Sequence, residues 1–130
     1  MTEQELRART RQFGLRVMKL IDAIPQNVQG RVIPGRLLRS GSSIGANYHA
    51  ACRARSKAKC ISRLGTAEEE ADESGFCLEL IIDGGLPDAK RARRLPIAAA
   101  ELAATAASSR KTAASAFAKS QIANRQSQIF

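Results

Sequence analysis

Residues 36–82 constrain the fold of this chain more than any other stretch. Apolar or small residues recur at Leu37, Gly41, Ile44, Tyr48 and Ala51, then at Cys60, Leu64, Ala67, Ala71, Ser74, Leu78 and Ile81. Both series step by alternating fours and threes, the spacing that puts one stripe of a helix against a neighbour. Four bases, Arg53, Arg55, Lys57 and Lys59, stand where the series break. The pattern predicts an antiparallel helical hairpin with a cationic tip. Gly41, Ser42, Ser43 and Gly45 are poor helix formers, but the stripe passes through them without a phase shift, so helix is predicted there. Gly41 and Gly45, four apart, would let a neighbouring helix come close.

The flanks carry the same signature. Leu6, Thr10, Phe13, Val17, Leu20 and Ile24 form a first stripe, predicted as a helix from about Thr2 to Ile24. Thr2 with Glu5 makes a capping box, and Pro25 ends the helix. The second helix begins between Asn27 and Gly35, with Pro34 tolerated in a first turn and disruptive deeper in. The third spans about Lys57–Asp83, capped by Ser56 and stopped by Gly84-Gly85. Pro87 suits the first turn of a fourth helix carrying Leu95, Ala99, Leu102 and Ala106, with a kink or late start at Pro96. Breaks therefore fall near 25–30, 55–56 and 84–85. The expected fold is all-α, an antiparallel up-down-up-down four-helix bundle over residues 1–118, followed by a disordered tail at 119–130. Within that tail Ser120-Gln121-Ile122 recurs as Ser127-Gln128-Ile129. Aromatic residues at 4% and no tryptophan argue against a β-sandwich or barrel.

Charge is uneven along the chain. The net +9 breaks into +9 over residues 1–60, −6 over 61–90 and +6 over 91–130. A basic chain of this kind suits a polyanionic partner, and the acidic middle could pair with basic helices within the bundle or across a subunit contact. Arg53 and Lys57 share one side of the corner, and Arg55, Lys59 and Arg63 another. Lys57 and Lys59 stand in a helical first turn that favours acids, so phosphate is a fitting counter-charge. Two readings stay open: contact with RNA or DNA backbone, aided by Arg36 and Arg39 where exposed, or a solvated charged tip. No aromatic is interleaved with these bases, which disfavours stacking on single-stranded bases.

Catalytic chemistry finds no constellation. Cys52, Cys60 and Cys77 are odd in number and form no CxxC pair. His49 is the single histidine, with no Glu three before it, so neither a zinc site nor a di-metal carboxylate set is expected. Cys60 and Cys77 read as small buried hydrophobes in a reducing compartment. The acidic run 68–73 reads instead as structural. Glu69 and Glu73 can bond Ser43, Asn47, Tyr48 or Arg39 across the hairpin as a buried polar layer, with plain surface exposure as the alternative. No signal peptide, membrane span, cofactor or metal is expected, and the chain is expected to be cytoplasmic and not an enzyme.

These residues carry a family resemblance. LLRSGSSIGANYHAACRARS followed by EEEADESGFCLELI resembles the bacterial four helix bundle protein family, over about residues 10–115. The matching positions include Arg39-Ser40-Gly41, Ser43, Ala46-Asn47-Tyr48, Arg53, Ser56 and Glu69-Glu70-Ala71-Asp72-Glu73. The family includes proteins encoded in intervening sequences of large-subunit ribosomal RNA genes and accessory variability proteins of diversity-generating retroelements. The resemblance implies a four-helix up-down protomer. In the retroelement branch it implies a homopentameric barrel that binds a reverse transcriptase and nucleic acid through basic surface. This chain departs from the pattern at Lys59-Cys60, where the family often has an acid then Phe, and at Cys77, where a Trp is usual.

Overall fold

The computed structural model describes the backbone of residues 2–25, 28–85 and 92–129, and the side chains of 2–25, 32–85 and 92–126. Among them are four long helices and no strand: α1 (Glu3–Asp22), α2 (Val28–Cys52), α3 (Lys57–Asp83) and α4 (Leu95–Ile129). The caps are the ones that the sequence supplies. The Glu5 amide donates to Thr2 Oγ1 at 3.1 Å, and the Thr2 amide donates back to Glu5 Oε2 at 3.2 Å. Ser56 Oγ accepts from the Lys59 amide at 3.1 Å, opening α3. At its other end the Gly84 amide reaches the Leu80 carbonyl at 2.8 Å, and Gly85 follows at φ 68°, where a Cβ would be strained.

All six residues of the α1 stripe are buried, as are Leu37, Gly41, Ile44 and Ala51 of α2. So are Leu64, Ala67, Ala71, Ser74, Leu78 and Ile81 of α3, and Leu95, Ala99, Leu102 and Ala106 of α4. Tyr48 and Cys60 are half-buried, and both line one groove with Glu3. The expectation of a buried Cys60 is thus corrected, while Cys77 is buried in the core.

Each helix packs on its chain neighbours in antiparallel fashion, whereas α1 and α4 barely touch. The α1/α2 contact is tightest at Gly41, and Gly45 has room for a methyl group. A Cβ on Gly41 would sit 3.2 Å from Val17 Cγ2, and one on Gly45 would sit 3.4 Å from Thr10 Oγ1. Helix continues through both, as the stripe predicts.

Two prolines refine the boundaries. α2 starts before Pro34 and runs through it, so the Gly30 carbonyl has no helical donor from residue 34. The ring is fully buried, which offsets part of that loss. Pro96 lies in the first turn of α4, where a missing N–H costs nothing, and the late start replaces a kink. The expectation for Pro87 falls outside the described residues. α4 also runs past the bundle: its 35 residues span about 52 Å against about 30 Å for the 20 of α1. Residues 119–129, which the sequence assigns to a disordered tail, continue this helix, and 118–126 are exposed.

Candidate nucleic-acid interface

The hairpin of α2 and α3 has two chemically different zones. In its middle, positive and negative side chains meet across the helix pair. Arg36 Nη2 lies 2.9 Å from Glu73 Oε1, and Arg39 Nη2 lies 3.0 Å from Glu73 Oε2. Arg39 Nη1 reaches Glu70 Oε1 only at 3.7 Å. The Arg36 hydrogen bond, with Arg39 beside it, holds the Glu73 carboxyl below the ordinary carboxylate range despite some desolvation. Burial pushes Glu70 the other way, and its Oε2 is buried without a hydrogen-bond partner. Arg36 and Arg39 therefore belong to a structural clamp and lie apart from the cationic tip.

Beneath this clamp lies the buried polar contact of the hairpin. Ser40 and Ser74 are each 0% exposed, with their hydroxyls 2.9 Å apart. Ser40 Oγ is also 3.3 Å from the Leu37 carbonyl, and Ser74 Oγ is 2.8 Å from that of Glu70. One hydroxyl donates across the interface while the other donates back into its own helix. This pair is the fully buried part of the contact, and of the expected layer of Ser43, Asn47, Tyr48, Glu69 and Glu73 only Asn47 and Glu73 bond across the helix pair. Ser43 Oγ donates to the Arg39 carbonyl of its own helix at 2.7 Å. Asn47 is half-buried, donating to the Ser43 carbonyl at 2.9 Å and accepting from Arg63 Nη1 at 3.2 Å. Tyr48 packs against the core, and burial pushes its hydroxyl up to about 12. Glu69 is exposed, because two residues from Ala67 and from Ala71 is roughly half a turn away from the stripe they define. Only Glu73 of the two expected acids bonds α2.

The tip is different. The Arg53 amide closes on the His49 carbonyl at 3.3 Å and the Ala54 amide on Ala51 at 3.2 Å, making a tight corner before Ser56. Arg53, Arg55, Lys57, Lys59 and Arg63 are all exposed. Among the described residues none of the five is in an ion pair, and the first turn of α3 holds no acid. Glu3, which shares a groove with Lys57, pairs with Arg7 at 3.1 Å. Elsewhere Arg110 Nε joins α4 to Glu68 of α3 at 2.9 Å. The Arg110 side chain passes over Gly65, where an added Cβ would make ordinary contact with its Cδ at 3.5 Å. The tip is thus five cations around a tight turn and a helix start whose Lys59 amide is capped by Ser56.

Reactive groups do not assemble. Cys52 is exposed, Cys60 half-buried and Cys77 buried, all as free thiols. Burial pushes the Cys52 and Cys77 thiols up, away from the thiolate that nucleophilic chemistry needs. His49 is exposed. Among the described residues no group of three or more His, Cys, Asp or Glu could hold a metal ion. No described helix is long and apolar enough to cross a membrane.

No protein-family model and no curated protein matches the chain. It is similar to a crystal structure from Bacteroides thetaiotaomicron, that of a protein of unknown function from the S23 ribosomal protein family. The two superpose with a TM-score of 0.77 at 28% identity, over 85% of this chain and 99% of that one. The likeness thus reaches well beyond the hairpin, and what it shows is a four-helix bundle with a structural neighbour in that family.

Proposed function

We propose that this chain is a non-enzymatic, oligomeric four-helix bundle that binds RNA or DNA backbone weakly and without sequence preference. The observation that carries the proposal is the contrast within one hairpin. Arg36 and Arg39 have acidic partners at 2.9 and 3.0 Å, while Arg53, Arg55, Lys57 and Lys59 have none, and Arg63 has only an amide. Cations at a helix start are repelled by the dipole, so a phosphate there relieves a strain that no protein group relieves. The ribosomal-protein family name of the Bacteroides relative and the resemblance to intervening-sequence and retroelement accessory proteins support the same reading. On it, the chain assembles with itself as a homopentamer and serves in the cytoplasm beside a nucleic-acid-processing protein such as a reverse transcriptase.

Fluorescence anisotropy with short labelled RNA and DNA duplexes tests the binding. Contact with three to five phosphates of a duplex gives a slope of log affinity against log salt of about −2.7 to −4.5. A second reading, a protein-interaction module without a nucleic-acid role, draws on the exposed apolar residues Leu15, Met18, Phe76 and Ile97. No binding by the parent chain at low salt decides for that module.

A further inference from the structure

The two outer edges of the bundle carry apolar grooves of opposite charge. Between α1 and α2 an open groove of about 470 Å³ runs over bare Gly14 and Gly45, walled by Leu15 and Met18 and flanked by Arg7, Arg11 and His49. No acid lines it. Between α3 and α4 a smaller groove of about 310 Å³ is lined by Gly75, Phe76 and Pro96, with Asp72 and Glu79 and no base. Three large apolar side chains stand out from these edges: Met18 is 52% exposed, Phe76 53% and nearby Ile97 62%. Apolar side chains this open, set beside grooves of opposite charge, suit a contact surface.

From this complementarity we infer that the α3/α4 edge of one copy docks on the α1/α2 edge of a second copy. Phe76 enters the groove beside Met18, and Asp72 and Glu79 meet Arg11 and, beside its Glu3 partner, Arg7. The inference rests on the oligomer reading above and gives that assembly its surfaces. Because chain neighbours pack in order, the α1/α2 edge lies across the bundle from the α3/α4 edge. A two-fold dimer cannot satisfy such a contact. Each docking leaves one edge of each kind free, so association continues until a ring closes. The basic tip takes no part in it and stays available to nucleic acid.

Sedimentation velocity on the full chain tests this with the variants Met18→Glu and Phe76→Glu, one on each edge. The parent should sediment as an assembly larger than a dimer, and each variant alone as a monomer of 14.0 kDa. An equimolar mixture of the two should form a 1:1 dimer, since one intact edge of each kind remains. Circular dichroism checks that each variant is helical. Should either lose helix, Arg11→Glu or Glu79→Lys replaces it on the same edge. A monomeric parent overturns the oligomer reading and this inference together. An assembled parent whose two variants stay assembled overturns the surfaces alone. Loss of assembly in only one variant, or a mixture that stays monomeric, overturns head-to-tail docking.

Discussion

The middle and the tip of the α2/α3 hairpin use the same residue types to different ends. In the middle, Arg36 and Arg39 share Glu73 above a buried Ser40–Ser74 contact. At the tip, five exposed cations surround a helix start, and among the described residues none of them is in an ion pair. Sequence distance does not separate the two zones, since Arg39 and Arg53 lie on one helix or its cap. What separates them is which side chains α3 places opposite. Near its centre α3 presents Glu70 and Glu73, and near its start it presents more lysine. A basic residue is structural in the first setting and available to a ligand in the second.

The comparison breaks first if truncation costs the same in both zones. Leu78 is fully buried in the middle, and Leu78→Ala should lower unfolding stability by about 2–5 kcal/mol in urea melts. Arg55→Ala at the exposed tip should stay within about 0.5 kcal/mol of the parent. Equal losses would mean that the tip is part of the core structure.

The polar contacts of the middle give smaller effects. Ser74→Ala should cost about 1 kcal/mol, because Ser40 keeps the Leu37 carbonyl as a partner and is not left unsatisfied. Glu73→Gln should cost about 0.5–1 kcal/mol, since both arginines are largely exposed and screened. Acid titration sharpens the point. Glu73 titrates below the ordinary 4.5, so its contribution is complete above that pH and is lost as the pH falls through its lower folded value. Glu70 titrates above 4.5, so its burial costs stability at neutral pH and the cost is relieved on acidification. In Glu70→Gln the relief should vanish, leaving a steeper acid loss than in the parent, measured by melts between pH 7 and pH 3.

The smallest effects compare glycines and helix starts. Gly45→Ala meets ordinary contact at 3.4 Å and should stabilise by about 0.5–1 kcal/mol, whereas Gly41→Ala, tight at 3.2 Å against Val17, should gain less. Lys57→Glu places an acid in the first turn of α3 and should raise stability by about 0.3–1 kcal/mol.

Much of this was legible in the sequence. The stripes name the buried residues of α1 and α4 one by one, because a 4-3 spacing depends on local helix geometry alone. The caps at Thr2 and Ser56 were legible for the same reason. The polar layer was only partly legible. Glu73 lies opposite Arg39 as expected, but Glu69 points to solvent, a difference settled by helical phase and not by residue type. Ser74 stands in the α3 stripe, and Ser40 falls three residues after Leu37, so the signal for their contact was present. Its meaning required knowing which residues face each other across the two helices. Pro34 inside α2 and the reach of α4 past the bundle likewise depend on packing that composition does not encode.

The central claim is that the tip cations serve a ligand and not the fold. The most direct measurement is a low-salt anisotropy titration of labelled RNA with the parent and with Arg55→Glu/Lys57→Glu/Lys59→Glu, a variant expected to melt no lower than the parent. The account predicts salt-sensitive binding by the parent and none by the folded variant. Equal binding by the variant, or no binding by the parent even at low salt, would contradict it.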